Sequence, residues 1–270
     1  MEEKAVIEFN ETPSKREETL KSLEGWLKEN LHINLQRDTL WLLNFIRGCD
    51  FDTQQTQNML KNYLTLKDFV PEIVDHQDPL LLDLQDVMQN RTIIPFGTPN
   101  IDCVIFRWSS VNPNKTKFSS YIKLGLMLYE IFMNESETIM IVGQCIIIDC
   151  QDLCFAHLKQ YTLSTIRKLL NHVFNSIPMR VKHFYFINCN QLLQAIYRLF
   201  RPFFPNYIQK IVKFYGQDYS GIYTDIPRHF FPIEYGGDTS CIDDISIEWK
   251  TKFESYRDWF LKHENLTTDF

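Results

Sequence analysis

From residue 86 onward, short runs of β-branched and aromatic residues alternate with longer stretches of helical periodicity, and this alternation restricts the fold more than any other feature of the chain. Strand, crossover helix and second strand form the unit that such a pattern encodes, so the expected fold is α/β, a mainly parallel sheet flanked by helices. The strand candidates are residues 103–108, 144–149, 183–188 and 210–215. Between them, residues 121–133 are apolar almost all round. Residues 164–177 place Ile166, Leu169, Leu170, Val173, Phe174 and Ile177 on one helical face, which must cover the sheet. A last helix is expected near 245–263, carrying Trp249, Phe253, Tyr256, Trp259 and Phe260.

Before residue 86 the pattern is helical only. Leu20, Leu23, Trp26 and Leu27 recur at helical spacing over 14–30, and Leu40, Leu43 and Ile46 do so over 36–47, which stops at Gly48. A third helix starts after the capping pair Asp52-Thr53, carries Met59, Leu60, Tyr63, Leu64 and Leu66, and is broken by Pro71. The expected organisation is an all-helical module over 1–85, the sheet domain over 86–250, and a C-terminal helix and tail over 251–270.

Several function classes are excluded or disfavoured by composition. The first ten residues, MEEKAVIEFN, have acids where a secretory signal needs a basic start and an apolar run, so the expected compartment is the cytoplasm. The longest apolar stretch, 139–148, is far below the roughly 18 residues that span a bilayer. Seven cysteines without a CxxC pair read as reduced, mostly buried thiols, and seven scattered histidines show no metal spacing, so no metal site is expected. GxSxG, GxGxxG, P-loop and HExxH motifs are all missing, so no catalytic residue and no cofactor is assigned, and the chain is expected not to be an enzyme. Asp149 closes a strand where α/β folds place functional groups, but with no nucleophile or base beside it the residue is expected to cap a loop.

Charge is strongly segregated. Residues 180–213 hold six basic side chains, Arg180, Lys182, Arg198, Arg201, Lys210 and Lys213, and no acid; since the chain is net −6, the remainder carries −12. Within this segment a helix over 191–200 presents Leu192, Leu193, Ile196, Tyr197, Leu199 and Phe200, followed by Phe203 and Phe204, which is more apolar surface than one outer face needs. Apolar bulk beside basic groups suits reversible docking on an anionic membrane, each basic group contributing on the order of 1 kcal/mol. An ordinary core helix with solvated arginines is the plainer alternative. Nucleic acid is disfavoured as a partner by the overall acidity and the lack of a recognition motif.

Three motifs, in order and at matching spacing, resemble the CRAL-TRIO lipid-binding family, in particular its tocopherol- and retinaldehyde-binding branch. WLLNFIRGCDFDTQQTQNMLKNYLTLKDFVPEI, residues 41–73, looks like the family's helical module, with its FLR-x-x-x-FD element present as Phe45, Ile46, Arg47, Phe51 and Asp52. IPMRVKHFYFIN, residues 177–188, is similar to the family's P-x-K-V strand ending in I-N. FPIEYGG, residues 231–237, matches LP-x-E-Y-G-G almost letter for letter. Three departures accompany them. Cys49 stands where the branch has an arginine, Lys210 and Lys213 only approximate its basic pair near the lid, and its D-L-E-G turn is here Asp149, Cys150, Gln151 and Asp152.

The resemblance implies a CRAL-TRIO fold with a mobile lid helix, formed here by the segment carrying Leu192, Leu193, Ile196, Tyr197, Phe200 and Phe203. It implies a pocket wall of Ile122, Gly125, Tyr129, Ile148, Leu153, Tyr161, Leu169, His172, Val173, Ile177, Met179, Val181 and Phe184. Gly125 would leave room for a guest, and Tyr129, Tyr161 and His172 would meet a polar group on it. Arg180 and Lys182 fall on family positions that bind phosphoinositide headgroups. The function so implied is an intracellular carrier of one hydrophobic ligand, an isoprenoid such as tocopherol or a retinoid ranking first, which contacts phosphoinositide-containing membranes reversibly. A phosphoinositide-sensing scaffold without cargo is the alternative reading, and an unrecognised hydrolase a third.

Overall fold

The protein was analysed as a computed structural model, which describes residues 2–31, 39–110, 112–160 and 162–264. Five strands form one sheet in the order β1-β2-β3-β4-β5: β1 Ile93–Thr98, β2 Ile101–Arg107, β3 Gln144–Asp149, β4 Val181–Ile187 and β5 Val212–Phe214. β1 and β2 are antiparallel, and β2 through β5 run parallel. The strand expected over 144–149 is found at those residues. The sequence reading missed β1, whose hairpin with β2 turns at Pro99-Asn100, where the Thr98 hydroxyl accepts from the Asn100 and Ile101 amides. Residues 210–215 were expected as strand throughout, but a helix, Asn206–Ile211, runs into a strand of three residues. The cause is the helical spacing of fully buried Ile208 and half-buried Ile211, which pack against β4.

Because the parallel strands follow one another in a single direction across the sheet, crossovers of the same hand all pass over the same face. The helices Phe118–Glu135, Leu163–Ser176 and Gln191–Phe200 do so. The other face is sealed by the irregular chain that follows β5, through Ile222, Ile226, Phe231 and Tyr235, and by Ile242 and Ile245 of the helix Ile242–Ser255. That helix runs through position 250, where the sheet domain was expected to end. The expected single last helix is two, Ile242–Ser255 and Arg257–Glu264, interrupted at Tyr256, whose hydroxyl bonds Glu135 at 2.7 Å.

The N-terminal helices are Glu2–Phe9, Pro13–Leu31, Thr39–Gly48 and Thr53–Leu64; residues 36–38 of the expected second helix lie outside the described residues. Their core, Leu23, Leu27, Trp41, Phe45, Ile46 and Leu60, continues into Met133 and Ile139 of the sheet domain. Trp41 Nε1 and the Tyr63 hydroxyl donate to Glu130 at 3.0 and 2.5 Å, and Asn44 Nδ2 donates to the Met133 carbonyl at 3.1 Å. Arg47, of the sequence's FIR element, forms a two-pronged ion pair with Glu11 at 2.8 and 3.0 Å, both side chains buried. Burial alone would raise the Glu11 carboxyl, but the hydrogen bonds and charges of Arg47 and Arg16 outweigh it and hold it below its ordinary value. The module is thus joined to the sheet domain by buried polar contacts as well as by a shared core. Among the described residues no helix is long and apolar enough to cross a membrane.

Candidate functional site

The sheet's two faces are packed very differently. On the face sealed by the C-terminal segment, Cys103, Ile105, Cys145, Ile147, Tyr185 and Ile187 are each at most 1% exposed. On the helix-covered face, strand register lines up two apolar rows, Val104–Ile146–Phe184–Val212 and Phe106–Ile148–Phe186–Phe214. Of these eight side chains only Phe184 is buried; the other seven remain half-buried beneath three helices. Strand alternation makes neighbours such as Ile147 and Ile148 chemically equal and spatially opposite, so the difference belongs to what covers each face. A well-packed core leaves few voids. An apolar surface that is covered and yet incompletely filled is the form a hydrophobic guest site takes.

The helix Phe118–Glu135 turns Ile122, Gly125 and Tyr129 to this space, while Tyr121, Leu124, Met127 and Leu128 are buried. Leu153, Leu169, Val173, Ile177 and Met179 join the same cluster, and Val181 and Phe184 the adjoining one. Most of the residues expected as wall thus lie in two adjoining apolar clusters. Three expectations come out differently. The room left by Gly125 is taken up by Phe106, whose Cε1 would lie 3.3 Å from an added Cβ. The Tyr129 hydroxyl is already bonded to the Pro178 carbonyl and approached by the Gln144 amide at 3.4 Å. His172 stacks on Phe69 at 4.3 Å, on the side of its helix facing the short helix Leu66–Phe69 instead of the sheet. Tyr161 lies outside the described residues.

The helix Gln191–Phe200 is capped by Asn190, whose side chain accepts the Leu193 amide at 2.9 Å. It contains no buried residue. Leu193, Ile196, Tyr197 and Phe200 are half-buried, as is Phe203 just beyond it; Phe200 and Phe203 pack on the cluster under Phe118–Glu135. Leu192 and Leu199, two turns apart, are 62% and 66% exposed. This helix thus lies over the two rows through one apolar stripe and shows a second one to solvent.

Two of the six basic residues are paired. Arg180 pairs with Glu8, donates to the Met140 and Ile141 carbonyls at 2.9 and 3.3 Å, and lies over the Phe9 ring, tying the first helix to β4. Lys182 is half-buried beside it, and burial followed by the Arg180 charge pushes its pKa down. Lys213 pairs with Asp225 at 3.1 Å. Arg198, Arg201 and Lys210 are exposed and form no ion pair among the described residues. Tyr207, on the helix that carries Lys210, bonds the Met179 carbonyl at 3.3 Å, which brings that helix beside the start of β4.

Asp149 does cap a loop. Its carboxylate accepts the Gln151 amide at 3.0 Å, Asn188 Nδ2 at 2.8 Å and the Tyr235 hydroxyl at 2.7 Å. The last of these explains the FPIEYGG motif as architecture: Tyr235 reaches the end of β3, and Glu234 caps the next helix by accepting the Ile242 amide at 3.0 Å. Gly236 turns the chain at φ 76°, and a Cβ on Gly237 would lie 1.9 Å from the Phe231 carbonyl oxygen.

Comparison with known proteins agrees with this geometry. Residues 97–237 match the CRAL/TRIO domain model and residues 12–84 the model described as Pinta-like, UBA domain. Human alpha-tocopherol transfer protein-like is 24% identical over 263 residues, 96% of this chain and 75% of that protein. Clavesin-1 of Rattus norvegicus is 22% identical over 281 residues, 97% of this chain and 78% of that protein. The crystal structure of Sfh5 superposes with a TM-score of 0.57 at 14% identity, covering 90% of this chain and 98% of that one, a likeness of fold. With the four parallel strands, their three covering helices and the FPIEYGG closure all inside the matched span, this chain belongs to the CRAL/TRIO family of lipid-binding domains.

Proposed function

We propose that the protein is a carrier that holds one hydrophobic, lipid-like molecule between the two apolar sheet rows and their covering helices, and exchanges it at membranes when the helix Gln191–Phe200 swings away. The observation that carries this reading is the contrast between a sheet face whose side chains are fully buried and one, on the same strands, whose apolar side chains stay half-buried beneath helices. A guest burying on the order of 400 Å² of apolar surface gains roughly 10 kcal/mol before association costs, enough for tight binding with no covalent step. The wall is Ile122, Tyr129, Ile148, Leu153, Leu169, Val173, Ile177, Met179, Val181 and Phe184, and the cargo class ranked first is a single-chain isoprenoid, in keeping with the name of the tocopherol transfer protein-like relative.

A helix without buried residues is held by partial contacts on one stripe, so little burial is lost when it moves. Its outer leucines, Leu192 and Leu199, with exposed Arg198 and Arg201 nearby, are the elements that would touch an anionic cytoplasmic leaflet. Native mass spectrometry with lipid extraction, on protein purified from a eukaryotic host, tests the reading. One co-purifying hydrophobic molecule at near one-to-one stoichiometry is the expected result; an empty protein that also refuses isoprenoids and phospholipids overturns it. Exchanging Leu192 and Leu199 for Asp is expected to slow transfer between vesicles while leaving uptake intact.

A further inference from the structure

Among the half-buried aromatic and aliphatic side chains of the lid helix, Tyr197 alone carries a hydroxyl. Tyr197 packs its ring against Phe186, Phe204 and Phe214, with centroids 5.7, 5.7 and 5.0 Å away. Its hydroxyl oxygen is out of contact with solvent and has no hydrogen-bond partner among the described residues. Burial pushes its pKa up, so it is a neutral donor and acceptor at pH 7. A phenylalanine would make the same ring contacts, as its three neighbours do, without burying an unpaired hydroxyl. Structure alone gives this hydroxyl no purpose, and its position is over the end of the row Phe106–Ile148–Phe186–Phe214.

We propose that Tyr197 is the hydrogen-bonding contact the lid helix offers to the bound lipid, and that the lipid therefore carries a neutral oxygen function, a hydroxyl or a carbonyl, at its end beneath the lid. This rests on the carrier reading. The oxygen is neutral because the rings packed on Tyr197, those of Phe186, Phe204 and Phe214, are apolar, and Arg201, whose charge reaches the hydroxyl, lies exposed in solvent where it offsets a buried charge only weakly. The partner forms when the lid settles on a loaded chamber, so the hydroxyl favours closure over an oxygen-bearing guest and does nothing for a plain hydrocarbon.

The test uses two probes of one carbon skeleton, farnesol and farnesene, displacing N-phenyl-1-naphthylamine from the full chain and from its Tyr197→Phe variant. Removing the hydroxyl is expected to weaken farnesol about five-fold, the worth of one net hydrogen bond, and to leave farnesene unchanged. The variant is expected to melt no lower than the parent, which separates a ligand effect from a folding defect. An unchanged farnesol-to-farnesene ratio between the two chains overturns the assignment of Tyr197 while leaving the carrier reading standing. Failure of the parent chain to take up any of the three probes overturns the carrier reading, and this inference with it.

Discussion

Ile147 and Ile148 are adjacent, identical and on opposite faces of the central strand, so truncating each to Ala compares the two faces with β-propensity held equal. Ile147 is 0% exposed among Ile105, Tyr185, Ile222 and Phe231. Its truncation removes about 2 kcal/mol of transfer free energy and leaves a closed cavity costing about 2 kcal/mol more. Ile148 is half-buried in the row with Phe106 and Phe186. There the adjoining space is already incompletely filled, so the cavity contribution falls away and the cost is about 2 kcal/mol or less. Urea unfolding of delipidated protein, followed by circular dichroism with m-values checked for equality, should therefore separate the two variants by about 2 kcal/mol. A difference below about 0.5 kcal/mol would mean that both faces are packed alike. The chamber, and the function built on it, would then have no physical basis.

Three further outcomes follow from the same structure. Arg47→Met leaves Glu11 buried without its main counter-charge and should cost about 3–5 kcal/mol, most of it recovered when Glu11 is also made Met. Because Glu11 has a lowered pKa, the ion pair's contribution is present above the ordinary carboxylate range and is lost as pH falls through the folded value, so the deficit of Arg47→Met should shrink in acid. Asp102, pushed up to about 6 by burial and with one carboxylate oxygen unpaired, carries the opposite sign: its burial costs nothing below the ordinary aspartate value of 3.8, a growing amount as pH rises from there, and the full amount above about pH 6. Asp102→Asn should stabilise the protein at pH 8 by up to roughly 3 kcal/mol and be neutral near pH 3.5, as read from unfolding midpoints at the two pH values. Gly237→Ala drives a Cβ into the Phe231 carbonyl and should cost at least about 3 kcal/mol, visible as loss of soluble protein or a collapsed melting temperature.

What was legible before folding was local. The strand 144–149 and the helix 191–200 are written in runs of β-branched residues and in a two-sided apolar stripe, and both elements occur at those positions. The three motifs were legible as a family pattern, and their work proved architectural: Arg47 clamps Glu11, and Tyr235 reaches Asp149. By contrast, the sequence showed an unpaired basic cluster where the structure pairs Arg180 with Glu8 and Lys213 with Asp225. Glu8 comes from a helix at the far end of the chain, and Asp225 from a segment without periodicity. His172 was expected in the pocket because the family resemblance places that position on the wall, yet its ring lies on Phe69, a partner supplied by another helix.

The amino-acid sequence by itself determined most of the element types, the mainly parallel character of the sheet and, through its motifs, the family, because periodicity, capping and turn chemistry act over a few residues at a time. Only the tertiary structure decided which sheet face is packed and which is left half-filled. Ile147 and Ile148 are interchangeable as letters. They differ because the chain after β5 returns in irregular turns to press Ile222, Phe231 and Tyr235 onto one face, while the other receives helices that cover it without filling it. That division is set by contacts between segments far apart in the chain, and no local rule contains it.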